Sequence, residues 1–464
     1  MVKRNRLLGI FCLLPGILAM AGGARAEKPE NILLVILDDY GAISAEAYQD
    51  QWKSARTGPT AVFNRVCRQG VRFTTAWSMP TCSPTRANIL TGRYSFRTGV
   101  GGPCGFGNDE IRPDELTLPR AIRRDLPAMA LGSIGKWHLG RSRRLGGDKA
   151  PNTMGWDHFA GLLAGGVTDY FRWNRTVNGN TATSSAYVTR QNVDDAIDFI
   201  HSVQGRPWLL WLGFIAPHTP IHLPPDDLHS REGLSGRAAD IRRRPGAYYE
   251  AMVESTDREL QRLLKELPDE DGDGLPDKTM VIMLGDNGTS DNAGLPSPWE
   301  DADAKGSLAE HGSRIPLCIA GAGVRDPGRD VAAPVNVTDL YATVLDVLEI
   351  KAGDGAGPVD AVSLKPYLDQ AGIPARRSWI LSEQFLNLGS YLPGGVAIGD
   401  GRHRFVRLEN GPESCFDAKA DPLEKTNLLA SADDAAKATC AGLRSTMLEL
   451  VCSDPGSHWR SWCR

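Results

Sequence analysis

The sequence predicts an α/β protein built on a large, mostly parallel sheet that is covered by helices on both faces. Apolar runs such as Asn31 to Leu37 and Trp208 to Ile215 are hydrophobic at nearly every position, as strands buried on both faces are. These runs alternate with segments of helical periodicity, the order that produces parallel sheets. After about residue 370 the strands become short, which predicts a smaller C-terminal α+β subdomain.

Hydrophobic periodicity predicts the individual strands and helices. Asn31 to Leu37 is predicted to be a fully buried first strand. Gln191 to Val203 carries its apolar residues on one helical face, and the strand Trp208 to Ile215 follows it. Ala247 to Leu267 is predicted to be a long amphipathic helix that leads to the strand Thr279 to Leu284. The further predicted elements are the strands Ala128 to Ser133, Arg314 to Ala320, Trp379 to Phe385 and Arg402 to Leu408, and the helices Val337 to Ile350 and Ala435 to Leu450.

The N-terminus has the layout of a secretory signal peptide. A basic head is followed by the apolar run Leu7 to Met20 and by the small-x-small sequence Ala24-Arg25-Ala26. A membrane anchor is the alternative, but the run is short for a span and contains Pro15. We therefore expect a signal peptide over residues 1–26 and a periplasmic or secreted protein without stable membrane insertion. The predicted domains are then a main domain over residues 27–370 and a C-terminal subdomain over residues 371–464.

Composition places the chain among ordinary globular proteins. It has 464 residues, 41% of them hydrophobic, and a formal net charge of −4. Such a balance argues against general nucleic-acid binding.

Oxygen-rich pairs follow two of the predicted strands. Asp38 and Asp39 come directly after the first strand, and Asp286 and Asn287 follow the strand Thr279 to Leu284 closely. Ligands bind at the carboxyl ends of strands in such sheets, and Ca²⁺ and Mg²⁺ prefer carboxylate and amide oxygens. The two pairs therefore predict one divalent cation site. The alternative is a set of acidic turns or helix caps.

Two lysines and two histidines also lie next to predicted strands in the sequence. Lys136 and His138 follow Ala128 to Ser133 and lie two residues apart, so in an extended segment they would share a side. His218 lies between two prolines after the strand Trp208 to Ile215, and Lys305 precedes the strand Arg314 to Ala320. Lys136 and His138 could then face one anion. Taken singly, each of the four is more often a surface lysine or a satisfied histidine.

The stretch Thr81 to Arg93 is the most informative part of the chain. It contains Cys82-Ser83-Pro84-Thr85-Arg86, followed by a short helix-like run that closes on Thr-Gly-Arg. A buried structural thiol beside a turn proline is the alternative reading of the cysteine. With the strand-end motifs above and with Asp421 to Leu428, the stretch resembles the signature of the formylglycine-dependent sulfatase family. One departure is Thr85, where the family usually has serine, and Glu310-His311 stands where Glu-Gly is more common.

The resemblance implies the alkaline phosphatase superfamily fold and a specific chemistry. Cys82 would be converted to 3-oxoalanine (formylglycine) by a formylglycine-generating maturation enzyme, and its hydrated aldehyde would be the nucleophile. One divalent cation, with Ca²⁺ preferred and Mg²⁺ as the alternative, would be bound by Asp38, Asp39, Asp286, Asn287 and residue 82. Lys136, His138, His218 and Lys305 would hold the sulfate, and Arg86 would hold the nucleophile. His218 is expected to be the acid for the leaving oxygen, with Lys305 as second candidate.

The resulting expectation is an exported sulfatase that hydrolyses a sulfate monoester of a small molecule or sugar. Two alternatives remain. One is a hydrolase of the same fold that prefers phosphate diesters or phosphonate monoesters. The other is a metal-binding or sulfated-glycan-binding protein in which Cys82 is never matured.

Three further features of the sequence give expectations. Of nine cysteines, seven remain beyond Cys12 and Cys82, and four of these lie in the last fifty residues. An oxidising compartment predicts one or two bridges there, with at least one thiol left free. The acidic run Asp269 to Asp277 resembles a calcium loop, although a solvated loop is the better reading. Tyr170-Phe171-Arg172-Trp173 and Gly105-Phe106-Gly107 either line the entrance of the site or are ordinary surface packing.

Overall fold

The structure is a computed structural model, and it describes residues 28–52, 58–105, 110–295, 305–351, 357–385 and 393–463. The predicted signal peptide lies outside these residues, as do Phe106 and Gly107. The strands of the described residues are β1 Asn31–Leu37, β2 Gly70–Phe73, β3 Ala76–Trp77, β4 Ala130–Lys136, β5 His158–Leu162, β6 Trp173–Val177, β7 Asn180–Ser184, β8 Trp208–Gly213, β9 Thr279–Gly285, β10 Leu317–Gly321, β11 Arg329–Val331, β12 Val335–Asn336, β13 Ile380–Gln384, β14 Gly395–Gly399, β15 His403–Leu408 and β16 Glu413–Asp417.

The helices are α1 Gln49–Trp52, α2 Ala61–Arg68, α3 Cys82–Thr91, α4 Ser95–Thr98, α5 Leu118–Asp125, α6 Ala150–Thr153, α7 Val188–Ser202, α8 Ala238–Arg243, α9 Pro245–Leu264, α10 Glu310–Ser313, α11 Asp339–Val347, α12 Lys365–Asp369 and α13 Asp434–Val451. No helix among the residues described is both long and apolar enough to cross a bilayer.

Ten strands form one large sheet in the order β11-β2-β10-β9-β1-β8-β4-β5-β6-β7. Its centre, from β9 through β1, β8 and β4 to β5, is parallel, whereas β10 and the β6–β7 hairpin pair antiparallel with their neighbours. The predicted mostly parallel sheet is confirmed. The predicted strand Arg314 to Ala320 begins later, at Leu317, and runs antiparallel to β9.

Side chains of β1 alternate between two separate hydrophobic cores. Ile32, Leu34 and Ile36 lie in the core on one face, and Leu33 and Val35 lie in the core on the other. Because successive residues of a strand point to opposite faces, this alternation shows that helices cover both sides. Residues of α3, α5 and α11 close the first core, and residues of α2, α7 and α9 close the second.

A four-stranded antiparallel sheet, β13-β14-β15-β16, and helix α13 form the C-terminal part of the chain. Its core also contains Met79, Tyr94 and Phe96, so this part packs directly on the segment around α3 and α4. Glu383 of β13 accepts hydrogen bonds from the backbone N–H of Phe96 at 2.9 Å and from Trp459 Nε1 at 2.7 Å. A smaller C-terminal α+β unit is therefore present, as predicted, while the boundary at residue 370 remains a prediction.

Three disulfides link the chain. Cys415–Cys440 and Cys452–Cys463 both lie in the C-terminal part, which confirms the bridges expected there. Cys67–Cys318 joins α2 to β10, a link that spacing along the sequence did not indicate. Cys82 and Cys104 are buried, and neither takes part in these disulfides.

Candidate active site

The candidate site lies at the carboxyl edge of the four adjacent parallel strands β9, β1, β8 and β4. Asp38 and Asp39 follow β1 directly, and Asp286 and Asn287 follow β9. Lys136 is the last residue of β4, and His218 lies in the loop after β8. Side chains that are far apart in sequence meet here because parallel strands end on the same edge. The structure brings all ten sequence-predicted site residues together.

The acidic members form a buried, mutually bonded cluster. The backbone N–H of Asp39 donates to Asp286 Oδ1 at 3.1 Å, and Asn287 Nδ2 donates to Asp39 Oδ1 at 2.8 Å. Asp39 has a left-handed backbone, with φ of 61°, and this conformation is more accessible to Asp than to most residues. Tyr249 of α9 fixes the turn by donating its hydroxyl to the Asp39 carbonyl at 2.8 Å.

Two oxygens of this cluster lack a hydrogen-bond donor among the described residues. They are Asp38 Oδ1 and Asn287 Oδ1, and both are fully buried. A buried oxygen without a partner is costly, so such atoms call for an explanation. Burial, followed by the nearby Asp38 carboxylate, raises the pKa of Asp286 above its usual value. Ligand oxygens of Asp38 and Asp39 and a ring nitrogen of His218 lie within 4.8 Å of one another. The donor set fits a hard divalent cation.

Arg86, Lys136 and Lys305 balance the three carboxylates. Arg86, fully buried, donates twice to Asp286 Oδ2, at 2.8 and 3.1 Å, and once to the Lys136 carbonyl at 3.0 Å. Lys136 Nζ pairs with Asp38, and Lys305 Nζ lies 2.5 Å from Asp39 Oδ1. Burial would lower the pKa of Lys305, but Asp39, Cys82 and Asp38 together outweigh burial and raise that pKa, so Lys305 remains charged.

Cys82 is the first residue of α3, and all ten residues of this helix are buried. Pro84 is tolerated because the first backbone N–H groups of a helix have no intrahelical acceptor. The Thr85 hydroxyl accepts from the Met79 N–H at 3.1 Å and donates to the Met79 carbonyl at 3.2 Å. Either serine or threonine could supply that hydroxyl. Burial raises the pKa of the Cys82 thiol, against the opposing effect of Lys136.

His138 contacts Cys82 directly. Its Nδ1 lies 3.2 Å from Cys82 Sγ, and its Nε2 lies 3.2 Å from the Cys104 carbonyl oxygen. A carbonyl can only accept, so Nε2 carries the hydrogen in this contact and Nδ1 is an acceptor. Burial, followed by Lys136 and Arg86, lowers the pKa of His138 well below 6.5, which keeps the ring neutral.

The expectation that Lys136 and His138 lie in one extended segment is wrong. Lys136 ends β4, and His138 has a left-handed backbone with φ of 52°. Gly135 has φ of 90°, and a Cβ there would lie 2.0 Å from the Gly213 carbonyl oxygen of the neighbouring strand. The two side chains reach the site because the backbone turns at the end of β4, and not because they share one side of a strand.

His218 faces the acidic cluster near Asp39. Its Nδ1 lies 2.7 Å from the Thr219 carbonyl, and its Nε2 lies 3.9 Å from Asp39 Oδ2. Tyr170 donates its hydroxyl to the His218 carbonyl at 2.6 Å, so this aromatic residue supports the loop and is itself buried. Burial, followed by Lys305, lowers the pKa of His218 from 6.5.

A cavity of about 880 Å³, here called the inner cavity, opens onto these side chains. Its lining is formed by Cys82, Pro103, Cys104, Gly105, Glu110, His138, Gly140, Arg141, Ser142, Leu163, Ala164, Gly165, Gly166, His218 and Lys305. Sequence reasoning missed Cys104, Glu110, Arg141 and the Leu163–Gly166 wall. Among these residues, only the paired glycines Gly165-Gly166 are a sequence signal, since adjacent glycines can mark a close approach of the backbone to another group. A Cβ at Gly165 would lie 2.5 Å from the His138 ring.

The remaining predicted features lie elsewhere. Glu310 forms ion pairs with Arg314 and Arg404, and the adjacent His311 is outside the inner-cavity lining. Carboxylate oxygens of Asp269, Asp271 and Asp273 lie within 4.8 Å of one another in an exposed loop, where they accept backbone N–H groups of the same loop.

Comparisons with known proteins agree with this geometry. A family model described as "Sulfatase" matches residues 30–350. The chain is 27% identical to the "Ulvan-active sulfatase" of Formosa agariphila, with 82% of this chain and 75% of the relative covered. It is 30% identical to "Arylsulfatase G" of Canis lupus familiaris, with 73% and 66% covered. Among solved structures, Ps i-CgsB has a TM-score of 0.75 at 22% identity, with 91% of this chain and 93% of that chain covered. A second structure of Ps i-CgsB is a complex with k-i-k-neocarrahexaose.

Proposed function

Because this chain belongs to the sulfatase family and is therefore a sulfuric ester hydrolase, we propose that it works through a formylglycine made from Cys82, beside one divalent cation. The observation that carries the proposal is that Cys82, His138, His218 and Lys305 line the inner cavity, while Lys305 and Lys136 pair with Asp39 and Asp38 of the buried acidic cluster. When matured, residue 82 supplies a hydrated aldehyde, whose first hydroxyl attacks sulfur and whose second expels the sulfate.

The proposed cation ligands are Asp38, Asp39, Asp286, Asn287 and residue 82. The orphaned oxygens of Asp38 and Asn287 support this assignment because a bound cation would satisfy both. Such an ion supplies positive charge for the non-bridging sulfate oxygens. Calcium is favoured over magnesium, since calcium accepts many protein oxygens whereas magnesium usually keeps several waters.

The chain's own cations would hold the substrate. Lys136 and Lys305 are paired with Asp38 and Asp39, so their ammonium groups are already positioned at the acidic cluster. Prearranged charges need no reorganisation when negative charge moves during the reaction. Arg86 would hold the nucleophile end of the site through its bonds to Asp286 and to the Lys136 carbonyl.

The two histidines would move protons at different atoms of the site. His138 has Nδ1 as an acceptor toward residue 82, which suits it to orient that residue's hydroxyl or to take its proton. His218 presents Nε2 toward Asp39 and lines the inner cavity, which suits it to protonate the leaving oxygen. Lys305 is the weaker acid of the two because its raised pKa makes proton release costly.

Export and maturation complete the proposal. The N-terminal pattern of residues 1–26 supports a periplasmic or secreted enzyme, and three disulfides support an oxidising compartment. A formylglycine-generating enzyme would be the maturation partner. A sulfated sugar is the proposed substrate class, an extension suggested by the names of the ulvan-active relative and of the neocarrahexaose complex.

The test combines mass spectrometry with sulfate release. Protein from a host with a maturation enzyme should yield a residue 82 peptide carrying an aldehyde, and it should release sulfate from a sulfated sugar or aryl sulfate. Cys82→Ala is the matched control, which lacks the aldehyde and should release none. An unmodified thiol in fully active protein would refute the proposed nucleophile. Faster turnover of matched phosphate diesters or phosphonates would favour the alternative specificity.

A further inference from the structure

A second cavity of about 650 Å³, here called the outer cavity, adjoins the inner cavity. The two share the wall residues Arg141, Leu163, Ala164 and Gly166, so they lie side by side and are together called the cleft here. Each volume falls in the range of about 300–1,000 Å³ that holds one small-molecule ligand. A substrate with a single ring would fill only the inner part of this cleft.

One face of the β6–β7 hairpin forms a wall of the outer cavity. Asn174 pairs with Thr183, and Thr176 pairs with Thr181, so the side chains of these four residues lie on the same face. Thr183 Oγ1 lies 3.5 Å from Asn174 Oδ1, which leaves the Asn174 amide hydrogens and the Thr183 lone pairs for a ligand. Closely spaced small donors and acceptors of this kind suit the hydroxyls of a sugar.

Arg141 lies at the junction of the two cavities. Its nearest carboxylate, on Asp148, is 3.8 Å away, and the Arg141 side chain is 63% exposed. A long, exposed pair of this kind contributes little, so the guanidinium can bind another anion. Arg172 also lines the outer cavity, and among the described lining residues the one acidic side chain is Asp169, which accepts the N–H of Phe171 at 2.7 Å. Two arginines therefore line the outer cavity against one lining carboxylate, with Asp148 beside Arg141.

We propose that the outer cavity binds the sugar next to the one bearing the scissile sulfate, and that Arg141 holds an anionic group at the junction. The substrate is then an anionic oligosaccharide of at least two units rather than an isolated sulfated ring. This inference rests on the proposed function, since it assigns the substrate of that same site. A sulfate or a carboxylate on the neighbouring sugar would satisfy Arg141 equally, because both accept the guanidinium fork.

The test is direct binding to the full-length Cys82→Ala protein, which lacks the nucleophile and therefore cannot hydrolyse the probes. The probes are tetrasaccharides from carrageenan, which carry sulfate only, and from heparin, which carry sulfate and carboxylate, each compared with a sulfated monosaccharide by calorimetry. We expect at least one tetrasaccharide to bind about tenfold or more tightly than the monosaccharide, as one added charge-assisted contact would give. The tetrasaccharide with the larger increase in affinity identifies which anionic group, sulfate or carboxylate, Arg141 binds.

Two variants should remove that gain. Arg141→Gln removes the junction charge, and Asn174→Ala with Thr183→Val removes the hydroxyl-binding face. Arg144→Gln is the matched control, because it changes the same charge in the same segment without lining either cavity. Circular dichroism and melting temperature would establish that each variant is folded. Equal affinity for one- and four-unit probes, or an undiminished gain in both variants, would overturn the inference. If the mature enzyme releases sulfate but the tetrasaccharides bind no more tightly than the monosaccharide, the inference about the outer cavity is overturned while the proposed function stands.

Discussion

Cys82 Sγ and His138 Nδ1 lie 3.2 Å apart although 56 residues separate them in sequence. The contact depends on Cys104, whose carbonyl accepts from the other ring nitrogen and so leaves Nδ1 as an acceptor. It depends also on Ser83, whose hydroxyl donates to the His138 carbonyl at 2.7 Å and accepts from the Cys104 N–H at 3.0 Å. A hydroxyl on residue 82 would therefore donate toward a fixed, neutral imidazole.

Cys82→Ser should allow at most one turnover. A serine hydroxyl donating to His138 could still attack sulfur, but its carbon bears no second hydroxyl to expel sulfate. We expect no steady-state rate and, where attack occurs, a stable adduct heavier by one sulfate at position 82. A pre-steady-state burst followed by intact mass analysis measures this. Sustained turnover, with maturation of the serine excluded, would contradict the proposed mechanism.

Asp286→Asn should weaken calcium binding by at least about tenfold, because it removes one of three clustered carboxylates. Asparagine keeps the volume of Asp286, whereas alanine would leave buried Arg86 without its nearest partner and destabilise the fold. Calcium titration by calorimetry measures the change. Asp273→Asn in the exposed acidic loop is the matched control and should retain the tight site. Wild-type affinity in Asp286→Asn would exclude that residue from the metal site.

His218→Gln should slow substrates according to their leaving group. An acid catalyst matters most when the leaving alcohol is poor, so we expect a loss of about 10²–10⁴-fold with an alkyl or sugar sulfate. With 4-nitrophenyl sulfate, whose leaving group needs little protonation, the loss should be at least tenfold smaller. Lys305→Gln is the comparison, since loss of a sulfate-binding charge should slow both substrates alike. Equal losses in His218→Gln would rule out the acid role.

The wild-type rate with poor leaving groups should fall as pH rises through the pKa of His218. In the protein without substrate, burial and Lys305 lower the pKa of His218 below the usual histidine value of 6.5. The protonated acid is therefore lost on the acidic side of neutrality. The pH profile of kcat/KM for an alkyl or sugar sulfate measures this limb. The same limb should be absent for His218→Gln. A basic optimum with poor leaving groups would contradict the assignment.

Stability should depend on the protonation of Glu383. Burial raises the pKa of Glu383 to about 7, so the folded state binds this proton more tightly than the unfolded state does. The contribution is complete below about pH 4 and is lost as pH rises through about 7, at a total cost of about 3 kcal/mol. Denaturant unfolding measures the free energy of unfolding of wild type and of Glu383→Gln near pH 5 and near pH 8.5. Between these two pH values the wild type should lose stability relative to the variant. Exposed Glu449→Gln is the control, and an unchanged difference would refute the raised pKa.

Strand-end chemistry could be predicted from sequence because it follows from topology. Asp38 and Asp286 come directly after fully apolar runs, and parallel pairing of β1 with β9 then places them together. The route of the backbone after a strand was not predictable in the same way. The turn at His138 depends on a left-handed residue and on the close approach of Gly135 to Gly213, which residue spacing does not encode.

The walls of the cleft were the least predictable part. The β6–β7 hairpin was missed although Asn178-Gly179 is a typical two-residue hairpin turn, and both residues have positive φ. Arg141 carries no motif at all, since an exposed arginine becomes informative only when the cavities on either side of it are known.

The disulfide between Cys67 and Cys318 spans 251 residues, and the exposed acidic loop at Asp269 to Asp273 lies inside that span. A protease that cuts this loop would sever the backbone without releasing either piece, because the bond continues to tie the two fragments. The nicked enzyme should migrate as one species on a non-reducing gel and separate into two bands only after thiol treatment. In an environment rich in extracellular proteases, a single cut in this loop would thus not dissociate the chain.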